Sequence, residues 1–194
     1  MKVVAINGST RSDGNTHAAL EIVGLGLVAR GKEHGEDIEY TIIDLAKKKL
    51  NPCRACYGCR DKNECIQNDD VNEIFKELHS ADGIILGSPT YFSNVSSRMQ
   101  MFIERIGIIN KTNGELLAGK VGASVAVARR QGANVVYAAL NYFFGIAQMP
   151  IASSTYWNIG LGKEKGEVKN DEEGVKTFEN LGHNMADMLC KLRG

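Results

Sequence analysis

The chain has no net charge, because its 23 lysines and arginines are balanced by 23 aspartates and glutamates among 194 residues. Such a balance provides no long-range attraction for nucleic acid or for an anionic membrane, so we expect neither as a partner. The sequence also lacks internal repeats and low-complexity segments. With 43% hydrophobic residues, it is long enough to bury one substantial core, and we expect a single domain over residues 1–194.

Long hydrophobic runs are missing as well. The first apolar run, "KVVAI" at residues 2–6, is too short for the core of a signal peptide and far too short to cross a bilayer. We therefore expect a cytoplasmic protein. Disulfides are rare in that reducing compartment, and the chain has an odd number of cysteines, five, so no disulfide framework is expected.

Four of the five cysteines are concentrated in one short stretch. Cys53, Cys56, Cys59 and Cys65 form a C-x2-C-x2-C-x5-C pattern. Three cysteines at three-residue intervals let a tight loop wrap thiolates around one face of an iron–sulfur cube, and the fourth closes the site. Structural zinc sites usually have two C-x2-C pairs, and no second pair is present. The spacing favours one [4Fe–4S] cluster over zinc or inert thiols. Cys190 stands apart and is expected to be a buried structural thiol.

Predicted strands and helices alternate along the chain. Each strand is followed by a stretch with helical apolar spacing, which predicts five βα units in a parallel sheet with helices on both faces. The predicted strands are residues 2–6, 38–45, 83–88, 121–128 and 151–157. A long insertion at residues 46–68 follows the second strand and carries the cysteine pattern. Loops of this length inside compact domains are usually functional.

The loop after the first strand, "GSTRSDGNT" at residues 8–16, is rich in hydrogen-bond donors. In a doubly wound sheet the ligand binds beyond the carboxyl ends of the strands. Hydroxyls and helix N-terminal N–H groups can surround a phosphate there. The alternative is an ordinary turn in which Asn15 or Thr16 caps the helix. No Walker motif is present, and the G-x-G-x-x-A match at Gly24 lies inside a predicted helix, where it has no meaning.

This first loop ends in Gly14-Asn15-Thr16 and resembles the phosphate loop of the flavodoxin-like, NAD(P)H-dependent FMN reductase superfamily. The stretch "GSPTYFSNVSSRMQMFIER", residues 87–105, resembles that superfamily's second flavin loop and the helix after it. The resemblance implies bound FMN and the strand order 2-1-3-4-5. By position, it implies phosphate contacts from the first loop and ring or ribityl contacts from the second, namely Ser9, Thr10, Arg11, Ser12, Gly14, Asn15 and Thr16, and then Pro89, Thr90, Tyr91, Phe92 and Asn94.

Tyr91 and Phe92 offer apolar surface to a flat ring, and backbone N–H groups of such a loop can bond the flavin edge and tune its electronics. The alternative is that both are core aromatics. A third loop, "VARRQGAN" at residues 127–134, departs from the glycine pair common in the superfamily. We expect flavin contacts there from Ala128, Arg129, Arg130 and Gly132. Two arginines would favour an anionic reduced flavin, although arginines at a strand end are often solvated.

The cysteine pattern, placed between the second strand and second helix of such a fold, resembles the iron–sulfur flavoproteins of anaerobic archaea and bacteria. The resemblance implies a [4Fe–4S] cluster coupled to FMN in a homo-oligomer, a dimer or tetramer, that accepts electrons from a ferredoxin-type donor. A cluster moves one electron and a flavin one or two, so the pair would reduce oxygen, peroxide or a quinone. No protein acid or base is predicted for that step.

Two other functions remain open from the residues alone. One is an NAD(P)H-dependent FMN or quinone reductase whose cysteine loop is only structural. The other is a non-catalytic module, such as a zinc-stabilised scaffold or a redox sensor. In the implied strand order the second strand lies at a sheet edge, so we expect the cysteine loop to be displaced from its own flavin loops and to cover the flavin of a neighbouring subunit.

Overall fold

A five-stranded parallel sheet forms the centre of the molecule, which we describe from a computed structural model covering residues 1–193. The order is β2-β1-β3-β4-β5, and every neighbouring pair runs parallel. This confirms the predicted doubly wound, flavodoxin-like order 2-1-3-4-5. The strands are β1 (Lys2–Asn7), β2 (Glu39–Asp44), β3 (Gly83–Pro89), β4 (Val121–Ala128) and β5 (Ile159–Leu161).

Five α-helices cover the two faces of this sheet. They are α1 (Asn15–Glu33), α2 (Val71–Ser80), α3 (Ser97–Thr112), α4 (Ala133–Ile146) and α5 (Glu172–Arg193), with short 3₁₀ turns at Leu45–Lys47 and Glu167–Asn170. Successive strand residues point to opposite faces. Val3 and Ala5 of β1 therefore pack under α1 and α5, whereas Val4 and Ile6 pack under α2, α3 and α4. No helix within residues 1–193 is long and apolar enough to cross a membrane.

The fifth strand does not lie where the sequence predicted it. Residues 151–157 make only one isolated bridge, from Ile151 to Gly122, and the strand forms at Ile159–Leu161. Its Gly160 leaves room for α5, since a Cβ there would lie 2.6 Å from the Phe178 ring. Tyr156 and Trp157, which suggested a strand by composition, lie exposed at the surface instead, with their rings in tilted contact.

The carboxyl ends of the central strands bring the three predicted flavin loops together. The N–H of Gly8 donates to the Gly87 carbonyl at 2.8 Å, and the N–H of Thr90 donates to the Val127 carbonyl at 2.8 Å. The loop after β5 joins them, because the Gly162 N–H donates to the Ala128 carbonyl at 2.9 Å. The chain after β2 leaves at the sheet edge and forms the cysteine segment, which we define as residues 51–69.

Candidate functional site

A cleft of about 280 Å³ opens where the loops after β1, β3, β4 and β5 meet. Most of the predicted FMN-binding residues line it, and residues of all three predicted loops are brought together. The lining consists of Ser9, Arg11, Gly14, Asn15, Thr16, Pro89, Thr90, Tyr91, Val127, Ala128, Arg129, Gly162, Lys163 and Lys165. The other predicted residues, Thr10, Ser12, Phe92, Asn94, Arg130 and Gly132, lie on the same loops outside this lining.

At one end of the cleft, the backbone N–H groups at the start of α1 form an arrangement that suits an anion. Gly14 is the N-cap of α1 and provides no side-chain cap, so the first N–H groups of the helix face the cleft without a capping side chain. The alternative in which Asn15 or Thr16 caps α1 is therefore wrong. Ser9 is buried, and its Oγ accepts the Arg11 N–H at 3.0 Å, which leaves the Ser9 hydroxyl proton available for a ligand.

The Asn15 side chain forms two hydrogen bonds to the chain that follows β5. Its Nδ2 donates to the Glu164 carbonyl at 2.8 Å, and its Oδ1 accepts the Val168 N–H at 3.3 Å. The side chain therefore ties the loop after β5 to the phosphate loop. A Cβ at Gly162 would lie 2.8 Å from Asn15 Nδ2, so glycine is needed for this close approach.

The sequence analysis missed Lys163 and Lys165, which also line the cleft. Lys165 forms an ion pair with Asp13, and Lys163 pairs with Glu164 at 3.0 Å. With Arg11 and Arg129 they make the lining cationic, and none of the described residues that line the cleft is acidic. Such a set of charges favours a phosphate. The lysines were missed because flavin contacts were expected only from the loops after the first, third and fourth strands, and not from the loop after the fifth.

The second loop presents aromatic side chains to solvent. The Tyr91 and Asn94 backbones exchange two hydrogen bonds of 3.0 Å, and Phe92 and Ser93 between them have left-handed φ angles of 51° and 58°. Phe92 is fully exposed and Tyr91 is 42% exposed, so the alternative that they are core aromatics is wrong. Left-handed residues other than glycine are uncommon and often mark functional loops.

Two further observations connect this loop to a ligand. Thr90 lines the cleft, and its buried Oγ1 has no hydrogen-bond partner within residues 1–193; an unsatisfied buried hydroxyl costs about 1–3 kcal/mol. The hydroxyls of Tyr91 and Thr10 lie 3.5 Å apart, which joins the second loop to the phosphate loop. The unpartnered hydroxyl, the cationic lining and the uncapped helix end together fit FMN.

The predicted cluster cysteines share one segment and differ in exposure. All are free thiols: Cys56 is exposed, Cys53 and Cys65 are half-buried, and Cys59 is buried with its Sγ 3.6 Å from Thr112 Oγ1. Cys190 is half-buried on α5 rather than buried. Within residues 1–193, no group of three or more His, Cys, Asp or Glu side chains has a metal-binding arrangement.

The backbone of the cysteine segment nevertheless suits thiolate ligands. The Ala55 N–H points to Cys53 Sγ at 3.4 Å, and the Gln67 N–H points to Cys65 Sγ at 3.5 Å. Four non-glycine residues have left-handed φ angles, namely Ala55, Tyr57, Asp61 and Asn63. Left-handed turns gather N–H groups into concave surfaces that bind anions and iron–sulfur clusters. The donor set and these N–H groups fit a thiolate-held cluster.

Two asparagines attach the cysteine segment to helices. Asn72 of α2 accepts the Cys65 N–H at 2.7 Å and donates to the Cys65 carbonyl at 2.8 Å. Asn113, the C-cap of α3, accepts the Asn63 N–H and donates to the Cys59 carbonyl, both at 3.0 Å. Sequence reasoning missed both anchors, because no local pattern links a helix residue to a cysteine up to 54 positions away.

A buried carboxylate anchors the ends of the segment. Burial alone would raise the pKa of Asp69, but hydrogen bonds from Arg105 and from the Asn51 and Val71 N–H groups lower that pKa below its usual range. The Asn51 N–H lies 3.0 Å from Asp69 Oδ2. Asp69 is therefore ionised at neutral pH and fixes the position where the segment returns to α2.

Comparison with known proteins relates the chain to flavoproteins. Residues 1–164 match the family model for NADPH-dependent FMN reductase. An iron-sulfur flavoprotein of Methanocaldococcus jannaschii is 39% identical over 196 residues, covering 97% of each chain. The iron-sulfur flavoprotein of Methanosarcina thermophila is 28% identical, covering 97% of this chain and 95% of its own.

Solved structures support the same fold at lower identity. An archaeal flavodoxin superposes with a TM-score of 0.63 at 18% identity, covering 98% of this chain and 99% of its own. RosB, solved with the bound intermediate 8-demethyl-8-formylriboflavin-5′-phosphate, superposes with a TM-score of 0.74 at 15% identity, covering 100% of this chain and 80% of its own. At these identities the likeness shows the flavodoxin-like architecture alone.

Proposed function

The chain belongs to the NADPH-dependent FMN reductase family and, within it, to the iron-sulfur flavoproteins; from this premise, we propose that it passes electrons from a ferredoxin-type donor through a [4Fe–4S] cluster to FMN, and on to oxygen, peroxide or a quinone. Its general role is that of a flavoprotein oxidoreductase, with FMN as cofactor. The observation that carries the proposal is the cysteine segment, in which backbone N–H groups already point to two of the four thiols.

The cleft residues have distinct roles in this proposal. When bound, FMN supplies one- and two-electron transfer. The Ser9 and Thr16 hydroxyls and the first N–H groups of α1 hold the phosphate, whose charge Arg11 and Lys163 balance. The Thr90 hydroxyl, which is buried without a partner within residues 1–193, would donate to the flavin, and Tyr91 would cover the flavin. These residues bind and orient FMN, and no side chain is assigned to proton transfer.

The cysteine segment has the second role. A bound cluster supplies one-electron transfer, which a ferredoxin-type donor matches. Cys53, Cys56, Cys59 and Cys65 would hold it, with the loop at 46–68 as an insertion in a single domain. Because Cys56 is exposed, the segment is open to a donor protein at the surface. Thiolates are required as ligands, so binding of the metal displaces the thiol protons.

We further propose a homo-oligomer, a dimer or a tetramer, in which the cysteine segment of one subunit faces the flavin cleft of another. Cys59 contacts Thr112 in the last turn of α3, whereas the second flavin loop precedes the first turn of that helix. The sixteen-residue helix is about 23 Å long. The buried cysteine therefore lies far from the cleft of its own chain.

An apolar groove next to the segment supports this assembly. It has a volume of about 710 Å³ and runs between α3 and α4 beside Cys53 and Tyr57. Tyr142 and Ile146 of α4 are 76% and 63% exposed along it. Large exposed apolar patches are typical of interfaces between subunits. Analytical ultracentrifugation tests the assembly, and a monomer at micromolar concentration would contradict it.

The cofactors are tested first by anaerobic purification. Iron and sulfide analysis, zinc analysis and chromatography of the acid-released flavin are expected to find a [4Fe–4S] cluster and FMN. Yellow protein without iron would favour the NAD(P)H-dependent reductase. Zinc without flavin would favour the scaffold or sensor. A stoichiometric yield of FAD would contradict the assignment of the phosphate loop to a terminal phosphate.

The electron route is tested by anaerobic rapid mixing. Reduced ferredoxin is expected to reduce the flavin of the wild type quickly and that of a cluster-free Cys59→Ala variant slowly. Cys190→Ala serves as the matched control and is expected to behave as the wild type. Equal flavin reduction rates in Cys59→Ala and wild type would show that the cysteine segment is not the entry point for electrons.

A further inference from the structure

Arg105 is the largest of the fully buried side chains in residues 1–193, and it lies against the cysteine segment. It projects from α3 and is only 1% exposed. Taking a charged group out of water costs several kcal/mol unless the charge is paired and its hydrogen bonds are made. The hydrogen-bond partners of this guanidinium therefore indicate the role of Arg105.

Arg105 pairs with both ends of the cysteine segment. Its Nη1 and Nη2 donate to the two carboxylate oxygens of Asp69 at 2.8 and 3.0 Å. Nη1 also donates to the Asn51 carbonyl at 2.8 Å. Asn51 stands just before the first cysteine of the pattern and Asp69 shortly after the last. One guanidinium therefore closes the base of the loop that carries the four thiols.

These three bonds leave the Nε–H of the guanidinium unused. Arg105 Nε is buried without a hydrogen bond in the described part of the chain, and such a donor costs about 1–3 kcal/mol. Cys65 lies close enough to the guanidinium to act on its pKa. Burial alone would lower the pKa of Arg105, but the hydrogen bonds to Asp69 and the negative charge that Cys65 can carry raise it. A thiolate at Cys65 would supply the missing acceptor.

We infer that Arg105 is a positioning residue for the cluster: its Nε–H donates to the thiolate sulfur of Cys65, and its charge raises the reduction potential of the cluster. The inference rests on the proposed [4Fe–4S] centre. Reduction adds one negative charge, and both an N–H···S bond and a nearby cation stabilise that charge. Asp69, held on the other side of the guanidinium, acts in the opposite direction.

The test is an anaerobic redox titration of the cluster, followed by the electron paramagnetic resonance of its reduced form. Arg105→Lys keeps the charge but loses the planar fork and the Nε–H. It is expected to lower the ratio of reduced to oxidised cluster at a fixed potential about tenfold, which is about 59 mV for a one-electron couple. Asp69→Asn removes a negative charge and is expected to shift the potential upwards.

The opposite directions of the two potential shifts distinguish residues that tune the cluster potential from residues that only stabilise the loop. A residue that only closes the loop would reduce the cluster content of both variants, and the remaining cluster would keep the wild-type potential. That result would overturn the inference. Arg98→Lys is the matched control: it lies on the same helix and donates to the Leu45 and Lys48 carbonyls before the segment at 2.9 and 3.3 Å. Its potential is expected to be unchanged.

A double variant keeps the test decisive if a single substitution prevents folding. Arg105→Met with Asp69→Asn leaves no uncompensated buried charge, and the lost N–H is still expected to lower the potential. A wild-type potential in the double variant would overturn the inference. Wild-type protein without iron and sulfide would instead refute the proposed cluster, so the two failures are distinguishable.

Discussion

The phosphate loop, residues 8–16, and the cysteine segment, residues 51–69, follow neighbouring strands of the same sheet but are held differently. Backbone bonds to the sheet fix the phosphate loop, such as the Gly8 N–H to the Gly87 carbonyl at 2.8 Å. Side chains from α2 and α3 hold the cysteine segment at Cys65, Cys59 and its two ends.

This difference matches the chemistry of the two proposed ligands. A phosphate is bound by N–H and hydroxyl donors, which the start of α1 presents as a consequence of the fold. Four thiolates repel one another, and the metal charge is needed to gather them. Consistent with this, the described thiols range from buried Cys59 to exposed Cys56. On the proposed assignment, residues 8–16 are arranged for a phosphate in advance, whereas the cysteine segment depends on the proposed cluster for its final arrangement.

The largest effect is expected from Cys59→Ala, which removes the one buried thiol of the cysteine segment. The variant is expected to lose the cluster iron. Without the metal, amide hydrogen exchange at residues 53–65 is expected to accelerate on the order of tenfold, while residues 8–16 exchange as in the wild type. Iron analysis and mass-spectrometric exchange measure both effects.

Cys190→Ala is the control for this comparison, because it removes a thiol from α5 and is expected to leave iron and exchange unchanged. The same loss of iron is expected for alanine at Cys53, Cys56 or Cys65. Full iron content with an unchanged spectrum in Cys65→Ala would mean that the fourth ligand is misassigned. Faster exchange in both regions would mean that the phosphate loop also depends on the metal.

Most of the fold could be predicted from the sequence, because β1, β3 and β4 are mainly apolar runs and β2, at the sheet edge, still has the β-branched and aromatic residues typical of a strand. β5 could not, since it has only three residues and includes Gly160. Its place depends on pairing with β4 and on Phe178 of α5, which are contacts between distant parts of the chain. Residues 151–157 have the better strand composition, and tertiary packing overrode it.

In each candidate site some residues were predictable from the sequence and others were not, for a related reason. The phosphate loop and the cysteine pattern are local in sequence, so their residue types and spacing identify them. Lys163, Asn72 and Arg105 act over long separations, and only the folded chain shows which loop each one contacts. Arg105 would be read from the sequence as an exposed cation on α3, whereas the structure buries it.

The next largest effect concerns FMN affinity. Thr16 is 2% exposed at the start of α1, and Thr16→Ala removes one hydroxyl bond to the phosphate. FMN binding is expected to weaken by about 1–3 kcal/mol, or about 5- to 150-fold in Kd. Flavin fluorescence titration of the apoprotein measures it. Thr177→Ala, at a buried threonine of α5, is the control with unchanged Kd. An unchanged Kd for Thr16→Ala would remove Thr16 from the site.

A smaller effect is expected from a substitution that tests whether the second and third predicted flavin loops keep their positions when no FMN is bound. Gly132 has a φ of 86°, and a Cβ there would lie 2.5 Å from Ser93 Oγ. Gly132→Ala is expected to destabilise the FMN-free protein by about 1–2 kcal/mol. Gly145→Ala, inside the helix α4 that Gly132 precedes, meets no atom within 4 Å and is expected to stabilise the protein by about 0.5–1 kcal/mol. Urea unfolding measures the change in the free energy of unfolding for both variants, and changes of the same sign would contradict the strain at Gly132.

The smallest effect is expected at the end of α1 that is remote from the phosphate loop. Asp187 of α5 accepts bonds from Arg30 Nε at 2.7 Å and lies 2.6 Å from His34 Nε2. Arg30 first, and then His34, lower the pKa of Asp187 to about 2. The folded pKa is below the unfolded one, so this stabilisation is complete above about pH 4 and is lost as the pH falls through about 2.

Asp187→Asn is therefore expected to flatten the pH dependence of unfolding between about pH 4 and 2, and to cost less than about 1 kcal/mol at pH 7, since the pair is partly exposed. Urea unfolding of FMN-free protein across that range measures the slope, and Glu179→Gln, an exposed acid of α5, is the control that keeps it. FMN affinity at pH 7 is expected to stay at the wild-type value, because the sheet rather than this pair fixes the phosphate loop. A weakened affinity would show that the loop also depends on how α1 is held at its far end.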